Sequence, residues 1–117
     1  MNKIWCLGLF AVLCGGVAAH PHLAQSLPAA DSKTAEVRDL RLVFSESVEA
    51  RLSAVHLETS EERTVTEPEA QADANDPKVL VVHLFERLPP GIYTVRWSVV
   101  GADGHKASGS YSFLASR

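Results

Sequence analysis

The chain has 117 residues, of which 46% are hydrophobic and 21% charged, and its 11 basic and 14 acidic side chains give a formal net charge of −3. A chain of this length holds one modest core, and an acidic balance with no basic run speaks against nucleic acid as a partner. The only methionine is Met1 and the only cysteines are Cys6 and Cys14, so the chain beyond residue 19 has neither thiol nor thioether chemistry to offer.

The first 19 residues read as a secretory signal peptide. Lys3 is followed by an apolar run from Ile4 to Leu13 and then by Gly15, Gly16, Val17, Ala18 and Ala19, the order of a basic start, a hydrophobic segment and small residues for cleavage. The run falls short of the roughly 20 residues that cross a bilayer, so a soluble product without a stable membrane anchor is expected. Val17 and Ala19 place the cut before His20, although cutting one residue earlier also leaves small residues on both sides. A lipid attachment at Cys14 fits less well, because the bulky Leu13 precedes it. Export to the periplasm follows, with a mature domain at 20–117 that keeps all five histidines and loses both cysteines.

Residues 20–31 contain Pro21 and Pro28, which rule out a helix, and read as an edge strand or extended arm. Leu40, Leu42 and Phe44 alternate with Asp39, Arg41 and Val43, the period of a half-buried strand. Val55 and Leu57 repeat that period, with His56 on the opposite side. From Thr59 to Pro77 no apolar periodicity holds, and a loop is expected. Val79 to Leu84 reads as a strand, Leu88-Pro89-Pro90-Gly91 as a turn, and Tyr93, Val95, Trp97 and Val99 as the buried face of the next strand. Gly101 to Gly104 breaks the pattern before a last strand marked by Tyr111 and Phe113. Six or seven short strands predict an all-β, two-sheet Greek-key sandwich, and a monomer is expected.

Signal cleavage would give His20 a free α-amine and an imidazole Nδ1 that close a chelate ring on one ion, a nitrogen pair suited to Cu(II). His20-Pro21-His22 also resembles the N-terminal chelate built from an amine, two backbone amide nitrogens and a third-position histidine, but Pro21 has no N–H to surrender. Copper at His20 must therefore find its other ligands elsewhere in the fold. Asp103 and His105 are the natural donors: two residues apart, they project to one side in an extended segment, with Gly104 allowing close backbone approach. Taken alone, the Asp-Gly-His triplet is better explained by a plain hairpin turn in which Asp103 bonds backbone amides, Gly104 supplies positive φ and His105 is solvated. His22 stands as an additional ligand if the arm turns it toward the ion. His56 and His83, which alternate with apolar strand residues, read as facing solvent or filling a polar pocket.

These blocks together resemble the CopC-type family of periplasmic copper-resistance proteins. The resemblance rests on His-Pro-His-Leu after the signal, on Leu42-Val43-Phe44-Ser45-Glu46, on the run from Leu88 to Trp97, on Ser98 through His105, and on Gly109, Tyr111 and Phe113. It implies a cupredoxin-like or immunoglobulin-like sandwich and one Cu(II) per mature chain held by His20, Asp103 and His105, with Glu46 orienting a ligand nitrogen. It also implies a non-enzymatic carrier or buffer in copper homeostasis and resistance, supplying an inner-membrane copper importer of the CopD type. A methionine-rich Cu(I) site found in some members has no counterpart here. Two rival readings remain open from sequence: a metal-free immunoglobulin-like interaction module, and a copper-dependent oxidative enzyme, for which the chain offers little substrate surface.

Overall fold

Alternating burial builds the architecture strand by strand. The computed structural model describes residues 20–117, and among these the chain forms β1 (Leu23–Leu27), β2 (Lys33–Ala35), β3 (Asp39–Phe44), a single 3-10 turn (Ala50–Leu52), β4 (Ala54–Thr59), β5 (Gln71–Asp73), β6 (Asp76–His83), β7 (Gly91–Val100) and β8 (Lys106–Ser116). One sheet has the order β1-β3-β6-β5 and the other β2-β8-β7-β4. All pairings are antiparallel except that of β2 with β8. The result is the two-sheet, all-β sandwich expected, and the export signal over residues 1–19 lies outside the described residues.

The core sits between the inner faces. β3 contributes Leu40, Leu42 and Phe44, β6 Leu80 and Val82, β4 Val55 and Leu57, β7 Tyr93, Val95, Trp97 and Val99, and β8 Tyr111, Phe113 and Ala115. Each set recurs every second residue, as a pleated strand with one buried face requires. Burying one of the large aliphatic or aromatic side chains contributes about 2 kcal/mol. Phe44 and Trp97 join the sheets edge-to-face, with centroids 5.2 Å apart and planes at 71°. Below them the Tyr93 hydroxyl donates to the Pro89 carbonyl at 2.8 Å, tying the Leu88–Gly91 turn to the strand that follows it.

Thr59 to Pro77 is where the loop expectation needs correction. The segment contains β5 and the first residues of β6, joined through Ala74 and Asn75 by a turn in which the Asn75 N–H donates to Asp73 Oδ2 at 3.1 Å. β5 is a three-residue edge strand with Gln71 and Ala72 exposed, so no apolar face announces it. β2 is equally short and polar, and the two bring the total to eight strands among the described residues instead of six or seven. Val65 donates its N–H to the Leu57 carbonyl at 2.8 Å, so the intervening chain covers the open edge of β4.

Three segments converge at one end of the sandwich. Ser45 donates its N–H to the His22 carbonyl at 2.9 Å, Ala102 donates to Ser47 at 3.0 Å, and Glu49 donates to Val100 at 2.8 Å. Val48 and Gly101 form an isolated antiparallel bridge. The arm before β1, the link after β3 and the β7–β8 turn are thereby laced into one surface.

Candidate metal centre

The β7–β8 hairpin closes through a short turn whose shape follows from its sequence. Gly101 donates its N–H to the His105 carbonyl at 2.7 Å, and Gly104 donates to Gly101 at 2.9 Å. Gly104 has φ of 92°, a conformation that side-chain-bearing residues rarely adopt. A Cβ placed on it would meet nothing within 4 Å. Positive φ, as the turn reading expected, is what calls for glycine there, and not close backbone approach.

Asp103 organises this turn. Its Oδ1 accepts the His105 backbone N–H at 3.0 Å, and its Oδ2 lies 2.8 Å from His105 Nδ1. It is thus an Asx-type turn that brings carboxylate and imidazole together, and not the side-by-side projection of an extended strand. The His105 backbone N–H, then its imidazole, hold the Asp103 carboxyl below the ordinary carboxylate value. An ionised carboxylate only accepts, so His105 Nδ1 carries the proton and the lone pair of the neutral ring resides on Nε2. The turn therefore presents an oriented imidazole nitrogen, in the manner of the carboxylate–histidine pairs behind metal ligands.

His20 meets that imidazole. The two rings lie 5.1 Å apart between centroids at 87°, with both residues exposed. Pro21, between the two exposed histidines of the arm, is fully buried. It rests on Gly101, where an added Cβ would come within 3.3 Å of Pro21 Cγ and 3.2 Å of Asp103 Oδ1. His22 is drawn to β3 instead: its N–H donates to Ser45 Oγ at 3.0 Å and its Nδ1 lies 3.2 Å from the same oxygen. Glu46 is exposed and shares a shallow cleft with Ser47, Ala102 and Asp103.

Of the residues singled out from sequence, His20, Asp103 and His105 are neighbours, Glu46 borders Asp103, and His22 is bonded to Ser45. Among the described residues no three His, Cys, Asp or Glu side chains are gathered closely enough to enclose an ion as they stand. The chemistry of the donors nevertheless suits one, since both Asp103 oxygens keep lone pairs beyond those their hydrogen bonds use. Ser45 and Gly101 are the contributors that sequence reasoning missed. No local sequence signal points to either, because Ser45 meets His22, and Gly101 meets Pro21, only across the fold. His56 and His83 are exposed, as expected, and each faces a carboxylate: Glu67 at 3.6 Å and Asp39 at 2.7 Å.

The small all-β sandwich is shared with known proteins. The CopC domain family matches residues 23–116, and the chain belongs to that family. Protein YobA of Escherichia coli K12 is 40% identical over 98 residues, spanning 83% of this chain and 79% of its own length. Copper resistance protein C of Escherichia coli is 34% identical over 117 residues, spanning 88% of this chain and 93% of its own. The crystal structure of PcoC, a methionine-rich copper resistance protein from Escherichia coli, superposes with a TM-score of 0.76 at 34% identity, covering 84% of this chain and all of that one.

Proposed function

We propose that the mature chain, beginning at His20, carries one Cu(II) ion in the periplasm, bound by the His20 amine and Nδ1, the Asp103 carboxylate and His105 Nε2. The observation that carries this reading is the contact of the His20 and His105 rings at 5.1 Å, with Asp103 already bonded to His105. Family membership supports copper as the cargo, since one relative is named for copper resistance. The donor set supports Cu(II) in particular: amine, imidazole and carboxylate suit that ion, whereas Cu(I) favours sulfur, and the only sulfur residues are Met1, Cys6 and Cys14. In this respect the chain departs from its methionine-rich structural relative.

Two imidazoles, an amine and a carboxylate complete the four equatorial positions of a tetragonal set and leave little room for a substrate, so the reading is of a carrier or buffer and not an enzyme. Glu46, across the cleft from Asp103, is assigned the role of orienting a ligand nitrogen. His22, held by Ser45, is left outside the ligand set. Delivery to an inner-membrane importer is the step this carrier would serve.

A Cu(II) titration of the protein beginning at His20, with electron paramagnetic resonance, tests the proposal beside a version carrying one extra residue before His20. One equivalent bound tightly, and weakened by the extension, is the expected result. Equal affinity in both would remove the amine from the site, and absent binding would favour the metal-free module.

A further inference from the structure

We infer that Pro21 decides how this protein binds Cu(II): seated on Gly101 it fixes His20 against the Asp103–His105 turn, and lacking a backbone N–H it denies copper a local chelate between His20 and His22. The inference rests on the ligand assignment proposed above and adds two residues that hold no copper themselves.

The positioning half follows from packing. His20, Pro21 and His22 run exposed, buried, exposed, so the one apolar ring of the arm anchors it while both imidazoles face outward. Pro21 belongs to the fully buried side chains, and its seat exists because residue 101 has no side chain. A Cβ there would stand 3.3 and 3.4 Å from Pro21 Cγ and Cδ and 3.2 Å from Asp103 Oδ1. One position thus borders the proline behind His20 and the carboxylate behind His105. Gly101 is itself pinned by the Val48 bridge and by its N–H to the His105 carbonyl. The halves of the site are joined through a proline–glycine contact at which a methyl group would force Pro21 or Asp103 to give way by a few tenths of an ångström.

The selective half follows from bond inventory. An amine and a third-position imidazole with two intervening backbone nitrogens make a planar four-nitrogen chelate for Cu(II), each amide nitrogen passing its proton to solvent. Such a chelate needs nothing from the fold. At position 21 no such proton exists. At position 22 the N–H is donated to Ser45 Oγ and the imidazole Nδ1 lies against the same hydroxyl. Both nitrogens that the chelate would recruit are thus withheld, the first by covalent structure and the second by β3. Copper that enters at His20 must complete its shell across the fold, where release can follow movement of the arm or the turn.

Mature chains beginning at His20 test this with Cu(II) alone as the probe, read by visible absorption, electron paramagnetic resonance and chelator competition. Pro21→Ala and Gly101→Ala are each made with and without His105→Ala and His22→Ala, and copper-free amide spectra report folding. In the parent the copper spectrum should depend on His105 and ignore His22. In Pro21→Ala the absorption should move to shorter wavelength, become indifferent to His105→Ala and be lost with His22→Ala. Gly101→Ala keeps the proline, so it should weaken binding about tenfold without producing the four-nitrogen spectrum. Pro21→Ala retaining the parent spectrum and its His105 dependence overturns the selective half, and parent-like affinity in Gly101→Ala overturns the positioning half. A parent spectrum indifferent to His105 is a different failure, that of the ligand assignment itself.

Discussion

His105 gives both its backbone N–H and its imidazole Nδ1 to one carboxylate, that of Asp103, at 3.0 and 2.8 Å. Copper binding should therefore respond to the charge on residue 103 and not only to its shape. Asp103→Asn keeps an oxygen for the backbone N–H but removes both the anionic ligand assigned to copper and the charge that fixes the ring proton on Nδ1, so a loss of Cu(II) affinity beyond the about 10–100-fold of a lost orienting partner is expected. Chelator competition measures it, and an unchanged affinity would make the turn a plain hairpin connection. Because the folded carboxyl titrates below its ordinary value, the contact is present above that ordinary value and is lost only as pH falls through the lowered one. The Asp103 carboxyl resonance should accordingly titrate below the ordinary carboxylate range, and a midpoint at or above that range would count against the contact.

The other paired histidines make the contrasting case. His56 and His83 each face a carboxylate, Glu67 and Asp39, but both sit on exposed strand faces away from the converging segments. His56→Ala and His83→Ala should leave Cu(II) stoichiometry and affinity as they are, while His105→Ala should cost more than the about 10–100-fold that follows loss of an orienting partner. A second bound equivalent that disappears with either of the first two substitutions would show that the chain holds copper elsewhere.

Long strands were legible in the sequence because burial at every second residue leaves a pattern: β3 and β7 could be read from Leu40, Leu42, Phe44 and from Tyr93, Val95, Trp97, Val99. β2 and β5 could not, since three exposed or half-exposed residues at an edge carry no periodicity. At the site, the residue types of His20, Asp103 and His105 pointed to a common ion, but their mutual geometry depended on contacts between distant segments. Nothing local links Pro21 to Gly101, or His22 to Ser45 across 23 positions. The proline was legible as a chemical block and illegible as an anchor, because only the fold supplies its seat.

Glu67 carries an acid that the sandwich buries at a cost. Its side chain is 8% exposed, Oε2 has no hydrogen-bond partner among the described residues, and Oε1 lies 3.6 Å from His56 Nδ1. Burial pushes its carboxyl above 4.5, with His56 opposing that only in part. A raised folded value means that the stabilising contribution is complete below the ordinary carboxylate value and is lost as pH rises through the raised one. Glu67→Gln should therefore melt higher than the parent at neutral pH, with the advantage vanishing in acid. Melting curves across that range decide it: a variant less stable at neutral pH would mean that the His56 pairing outweighs the burial.

Tyr111 poses the same question at the alkaline end. Its hydroxyl is buried without a hydrogen-bond partner among the described residues. Burial pushes its pKa from 10.0 to about 12, eased a little by nearby Ser26, whose own proton goes to the Pro28 carbonyl at 3.0 Å. The parent should lose stability as pH climbs from 10.0 through about 12, since the unfolded chain ionises first. Tyr111→Phe should lack that loss and, at neutral pH, match or exceed the parent by up to about 1 kcal/mol, because an unsatisfied hydroxyl is removed. Denaturant titrations at both pH values test the two parts. A clear destabilisation at neutral pH would show that the hydroxyl has a partner, such as bound water.

Phe44 couples the core to the end of the sandwich where the arm, the link after β3 and the β7–β8 turn converge. It is 1% exposed, packs edge-to-face on Trp97 at 5.2 Å, and immediately precedes Ser45, which holds both the N–H and the imidazole of His22. Phe44→Ala should cost about 3–5 kcal/mol, a large part of the about 5–15 kcal/mol that a domain of this kind possesses. Copper that binds only the folded chain stabilises it by mass action, so excess Cu(II) should recover part of the lost melting temperature. The recovery should be absent when His105→Ala is added, because the ligand and not the ionic medium supplies it. Thermal melts of the single and double variants, with and without Cu(II), measure both effects. Equal recovery in the two would place the stabilising copper away from the turn, and no recovery in the single variant would mean that the end of β3 is needed to hold the arm in its binding position.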